Sequence, residues 1–270
     1  MIESGPRGIR VHKAMARAGV ASRRAAERLM AQGQVEINGS VVREPGACLL
    51  PGDRLAVSGA PVAWDAPAAA EVWALYKPKR CVSTLRDPQG RKTVQDYLPR
   101  SAGRLFPIGR LDYDDEGLLL LTNDGELARR VERPSFKAPR VYLVKIKGSV
   151  TPDTAEDLAR SLGPPLRGRG VRVRTLHRVG EKSWLEIKLP QGTRRPLKRL
   201  LAAAGHPVLK LKRYQIGPVE LGDLNPGQSR RLAKSDIARL LASGGTEEDT
   251  PRRRPTPAPL ARGEDTDEPL

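Results

Sequence analysis

Sulfur and imidazole are scarce in this 270-residue chain, which has two cysteines, three histidines and three methionines. Cys48 and Cys81 stand apart, and His12, His177 and His206 are scattered, so the spacings of a His/Cys metal site are missing. Two isolated cysteines give no disulfide framework and read as reduced, structural thiols. No apolar run approaches the roughly 20 residues that span a bilayer, and the opening MIESGPRGIR has no signal-peptide core. Acids are also short, 31 against 48 Lys and Arg, for a net charge of +17. A charge of that size calls for a polyanionic partner. With no membrane segment in sight, the expectation is a cytoplasmic nucleic-acid-binding protein.

Residues 10–19, RVHKAMARAG, read as a short helix closed by Gly19. Ser22 can cap a second helix that stops at Gly33, and Asn38-Gly39 is a hairpin turn between Val35-Glu36-Ile37 and Val41. Pro51-Gly52-Asp53 turns the chain again before RLAVSG. Arg10, Lys13, Arg17, Arg23, Arg24 and Arg28 face a single acid, Glu27, over Arg10 to Gln32. A face built only for solubility mixes signs, so these six are read as phosphate contacts. The chain then divides into a small α/β RNA-binding domain at 1–59, an Ala/Pro-rich linker at 60–70, a larger region at 71–243 and a tail at 244–270. The larger region mixes strands and helices through short hairpin links, which points to an α+β fold with a mixed, largely antiparallel sheet. The tail has five prolines, seven acids and no aromatic, too little apolar surface to offset its ordering entropy.

One stretch runs against the charge of the whole. GRLDYDDEGLLLLTNDGEL gathers Asp112, Asp114, Asp115 and Glu116 directly before an apolar run. A calcium loop beginning at Asp112 would need a bidentate Glu at its twelfth position, which is Asn123, and would turn LLLL into ligands. A polar turn accounts for Asp114, Asp115 and Glu116. It accounts less well for Asp112, set between Arg110-Leu111 and a core strand, where an acid is costly unless paired or functional.

IGRLDYDDEGLLLLTNDGELARRVERPSF resembles the central motif of bacterial rRNA pseudouridine synthases of the RsuA class, in which G-R-L-D carries the catalytic aspartate. YKPKRCVSTLRDPQG resembles the family's opening K-P-x-G-x-V-S segment, with Arg80-Cys81 where Gly is usual. APRVYLVKIKG resembles its tyrosine-bearing strand, and QGTRRPLKRLLAAAGHPVLKLKRYQIGPVELGDL its closing motif. IRVHKAMARAGVASRRAAERLMAQGQVEINGSVV resembles the αL RNA-binding module found ahead of this catalytic domain.

The resemblance implies isomerisation of a uridine in ribosomal RNA, with the large subunit as the expected target, without cofactor or metal, by a monomer. It places the reacting carboxylate on Asp112, a base-stacking ring on Tyr142 and a cation beside the aspartate on Lys198. Arg110, Arg194, Arg195 and Arg199 are expected to face RNA phosphates. Arg194 and Pro196 stand where the family commonly has Asn and Gln. Further arginines over Arg160–Gly180, with Lys210, Lys212 and Arg213, add basic patches. The rival reading is a ribosome-associated RNA-binding protein with the fold but no activity.

Overall fold

The computed structural model describes residues 8–65, 69–133, 135–162, 170–189 and 197–244. Arg194, Arg195, Pro196 and the tail beyond Gly244 lie outside them, as do Arg167 and Arg169. The chain forms two compact units that part at Glu71 and Val72, with 123–125 counted to the first. Among the described residues no helix is long and apolar enough to cross a membrane.

The first unit contains β1 (Ile9–Arg10), α1 (Val11–Arg17), α2 (Arg23–Ala31), β2 (Val35–Ile37), β3 (Ser40–Val41), β4 (Cys48–Leu49), β5 (Leu55–Val57) and β6 (Ala60–Val62). The local signals act as read. Ser22 accepts a hydrogen bond from the Ala25 amide at the start of α2. Asn38 and Gly39 both take positive φ in the two-residue hairpin turn between β2 and β3. Met15, Met30, Val35 and Leu49 meet in a common core. The expected linker is ordered at its start. Ala60–Val62 pairs with β5, and Trp64 is buried, its indole N–H donating to the Asp53 carbonyl at 2.8 Å. Pro61 is tolerated because β6 is an edge strand, which can spare a donor.

The second unit contains β7 (Val72–Lys77), a 3-10 turn (Val94–Tyr97), β8 (Phe106–Ile108), β9 (Glu116–Thr122), α3 (Gly125–Glu132), β10 (Arg140–Lys147), α4 (Pro152–Leu162), β11 (Arg172–Val179), β12 (Lys182–Leu189), α5 (Leu197–Ala203), β13 (Val208–Ile216), β14 (Val219–Glu220), β15 (Ser229–Arg231) and α6 (Lys234–Ala242). Its main sheet runs β11-β12-β10-β13-β9-β7-β15. The β13–β9 pair is parallel and the other pairs are antiparallel. This is the mixed, largely antiparallel α+β sheet that the sequence implies.

The sheet is covered on opposite faces at its two ends. Residues of α4 and α5 pack on Val144, Ile146, Leu185, Ile187 and Leu211 on one face. Residues of α3 and α6 pack on Ala74, Tyr76, Leu118 and Leu120 on the other. Cys81 is buried beside Leu75, Leu119 and Leu121, and burial pushes its thiol pKa up.

Candidate active site

The acid cluster is a short loop leading into β9. Asp112 and Asp114 are exposed, while Asp115 and Glu116 are buried. Leu118 to Leu121 are each fully buried in a strand paired on both edges, which excludes the calcium-loop geometry.

What fixes the loop is the K-P segment ahead of it. Lys77 ends β7 with none of its surface exposed. Its ammonium donates to the carbonyls of Pro78 (3.1 Å), Asp112 (3.0 Å) and Asp115 (2.8 Å). Burial pulls its pKa below the ordinary lysine value, and the nearby Asp115 and Asp112 carboxylates oppose the shift. Ser83 adds a reciprocal pair, donating to the Leu111 carbonyl at 2.7 Å and accepting from its amide at 3.1 Å. The Arg80 amide holds the Tyr113 carbonyl at 2.7 Å. Four loop residues from Leu111 to Asp115 are thus tied through backbone groups, leaving the Asp112 carboxylate exposed.

Arg80 makes its contact at φ +57°. A side chain in that region costs about 1 kcal/mol that glycine avoids. Arg80→Gly is therefore expected to stabilise the protein by about 1 kcal/mol, raising the melting temperature by about 2–4 °C. An unchanged or lowered melting temperature would count against strain at this position.

The strands position the remaining groups. Gly117 faces Arg213 across the parallel pair, and a Cβ there would lie 2.3 Å from the Arg213 carbonyl oxygen. Glycine is required for that approach. Arg213 is the register partner of Tyr142 on its other side. Gly117, Arg213 and Tyr142 therefore lie in a row across three strands, and two interstrand steps of ~4.8 Å put Tyr142 roughly 10 Å from the β9 start. Arg213 is 4% exposed, and its Nε donates to the Leu118 carbonyl at 2.7 Å. Its Nη1 lies 3.5 Å from the Arg110 carbonyl. Beside it, burial holds Arg140 down at about 10, with repulsion from Arg213 adding to the effect. Tyr142 is half-buried against the α4–α5 core, on the face shared with Val144 and Ile146.

Lys198, in the first turn of α5, is paired with Asp115 rather than with Asp112. Asp115 is the buried carboxylate of the loop and Asp112 the exposed one, so the cation goes where charge most needs a partner. Arg110 and Arg199, expected to face RNA, are exposed. So are Arg10, Arg17, Arg23, Arg24 and Arg28 of the first unit, with Lys13 half-buried. Arg23 is held by a 3.1 Å hydrogen bond to the buried ring of His12. Lys212 and Arg213, read from the sequence as surface charge, are both buried. Lys77 and Ser83 contribute to the site without having been singled out, and Arg213 was read only as part of a basic patch. The signal that pointed toward the first two was the K-P-x-G-x-V-S resemblance.

The arrangement offers an exposed carboxylate on a pinned loop, an aromatic ring two strands away and cations close by. That set suits attack on, or proton removal from, a pyrimidine nucleotide. Sequence comparison agrees with the geometry. The profile of the RNA pseudouridylate synthase family matches residues 71–203, and that of the S4 domain matches 9–55. An RNA pseudouridine synthase of Aquifex aeolicus is 40% identical over 251 residues, 91% of this chain and 98% of that protein. The ribosomal large subunit pseudouridine synthase B of Bacillus subtilis is 36% identical, over 86% of this chain and 96% of its own. The crystal structure of a pseudouridylate synthase superposes with a TM-score of 0.57 at 27% identity, covering 86% of this chain and 99% of that one. With its S4 module ahead of the catalytic sheet, the chain belongs to the RNA pseudouridine synthase family, in keeping with the RsuA class.

Proposed function

We propose that this enzyme converts one uridine of large-subunit ribosomal RNA to pseudouridine, working as a monomer in the cytoplasm. The observation that carries the site assignment is the loop Leu111–Asp115, pinned by Lys77, Arg80 and Ser83 so that Asp112 projects an exposed carboxylate from a rigid backbone. In the reaction the N1–C1′ bond breaks, the uracil turns, and a C5–C1′ bond forms as the C5 proton is lost and N1 gains one. Atoms and electrons balance without an oxidant, a reductant or water, so the chemistry requires no cofactor. Asp112 serves as nucleophile or base. The ring of Tyr142 supports the base once it has left its stack, an extrusion costing a few kcal/mol that phosphate contacts offset. Residues 1–65 serve as the RNA-binding module and 72–243 as the catalytic domain. The test is a pseudouridine map of ribosomal RNA from cells with and without the gene. Loss of one large-subunit site, restored by the wild-type gene, is the expected result; an unchanged map would overturn the proposal.

Lys198 and Arg199 should differ sharply. Lys198→Met leaves the Asp115 carboxylate buried without its cation, whereas Arg199→Met removes an exposed charge. Because Lys198 is itself partly exposed, the loss should fall between the two limits for ion pairs, about 2 kcal/mol against about 0.5 for Arg199. Urea unfolding and tritium release on rRNA would measure it. Equal losses would show that Lys198 has no special partner.

A further inference from the structure

The half of the sheet formed by β13, β10, β12 and β11 has two unlike faces. One carries Tyr142, Val144, Ile146, Leu185, Ile187 and Leu211, and is covered by α4 and α5. Residues alternate along each strand, so the neighbours of these residues point the other way. That reverse face carries Lys147 of β10, Lys182 and Lys188 of β12, Arg172 and Arg174 of β11 and Lys210 of β13, with Lys145 and Lys212 buried within it.

The register places like charges directly opposite one another on this face. Lys147 faces Lys182, Lys145 faces Lys210, and Arg172 faces Lys188. Cross-strand cations in this relation destabilise a sheet, and a face shaped for solubility alone would interleave signs. The acid within this group, Glu186, is held by Arg174 at 3.2 Å. Part of the repulsion is met inside the face, where Lys145 and Lys210 lie 5.8 and 5.9 Å from the centre of the Trp184 ring. The outer cations Lys147, Arg172 and Lys182 are exposed to solvent.

We infer that this reverse face is a second RNA-docking surface, which holds the sugar-phosphate backbone of the substrate at a segment remote from the target uridine. A polyanion complements this excess of cations, and an array of cations without exposed aromatic rings reads backbone rather than bases. The edge strand β11 joins the two faces, so RNA leaving the Tyr142 side reaches the reverse side over Arg172 and Arg174. The inference rests on RNA being the substrate.

The test uses the full chain and a large-subunit rRNA transcript. Affinity is measured against salt for the wild type, for Lys147→Gln/Arg172→Gln/Lys182→Gln, and for a control of equal charge loss elsewhere, Arg100→Gln/Arg130→Gln/Lys234→Gln. The face variant should lower the log–log salt slope by about 2 to 3, at about 0.7–0.9 for each phosphate no longer neutralised, and the control should not. Its melting temperature should stay level, because all three side chains are exposed. Lys147→Arg/Arg172→Lys/Lys182→Arg should keep the wild-type slope. An unchanged slope in the face variant, or an equal drop in the control, would overturn the docking surface. Loss of binding to polyglutamate with the RNA slope intact would also overturn it, giving the face to an acidic protein. Salt-insensitive or absent RNA binding by the wild type would instead sink the substrate assignment itself.

Discussion

Asp112→Asn should reduce tritium release from C5-labelled uridine in rRNA to below about a thousandth of the wild-type rate, with folding and RNA affinity nearly intact. The side chain is exposed, so no core packing depends on it. The loop is held through backbone carbonyls and amides, which the substitution keeps. Asparagine preserves shape while replacing one acceptor oxygen by a donor amide, and it removes the charge and the nucleophile. Asp114→Asn, on an equally exposed neighbour, should stay active. Substantial release by Asp112→Asn, or its loss in Asp114→Asn, would move the reacting carboxylate elsewhere in the cluster. An inactive protein that also fails to bind RNA would instead indicate that the loop had collapsed.

The first unit was legible because its signals are local. A cap at Ser22, a left-handed turn at Asn38-Gly39 and apolar spacing along α2 each act within a few residues. Its far boundary was not legible. Ala60-Pro61-Val62 has a linker's composition and becomes a strand only because β5 offers an edge and Trp64 a core contact. In the second unit β13 was hidden by its charge. KLKR reads as surface until the parallel pairing with β9 buries Lys212 and Arg213 and gives Arg213 the carbonyls of Leu118 and Arg110.

The reacting residue was visible as an anomaly of placement, an acid at the mouth of a core strand in a basic chain. Its supports were not. The sequence offers no way to know that Lys198 meets Asp115 instead of Asp112, since the choice depends on which carboxylate the loop turns inward. Nor does it show that the carbonyls of Pro78, Asp112 and Asp115 converge on one ammonium, because two of them lie 35 and 38 residues away along the chain.

That convergence makes Lys77→Met the substitution with the largest expected structural effect. Methionine fills much of the same volume, so the change isolates the ammonium. Three carbonyls lose their donor, at about 1–3 kcal/mol for each left unsatisfied in a buried setting. Removing a buried cation recovers some desolvation cost, so the net loss should be about 3–5 kcal/mol. A domain of ordinary stability survives that loss and unfolds about 10 °C earlier, at about 2–4 °C per kcal/mol. Activity should suffer beyond the loss of stability, because misplacing a reacting group by about 1 Å costs about 100-fold. Assayed well below its melting point, the variant should therefore show a fall in kcat of that order, with RNA affinity little changed. Lys77→Gln, which can still donate to two carbonyls, should fall between the two proteins on both measures. Wild-type kcat in a Lys77→Met protein that melts early would confine the lysine to holding the fold. Wild-type melting with reduced kcat would mean that the ammonium acts on the substrate rather than on the loop. Only paired losses, graded through Lys77→Gln, fit a buried cation that holds the Asp112 backbone in place.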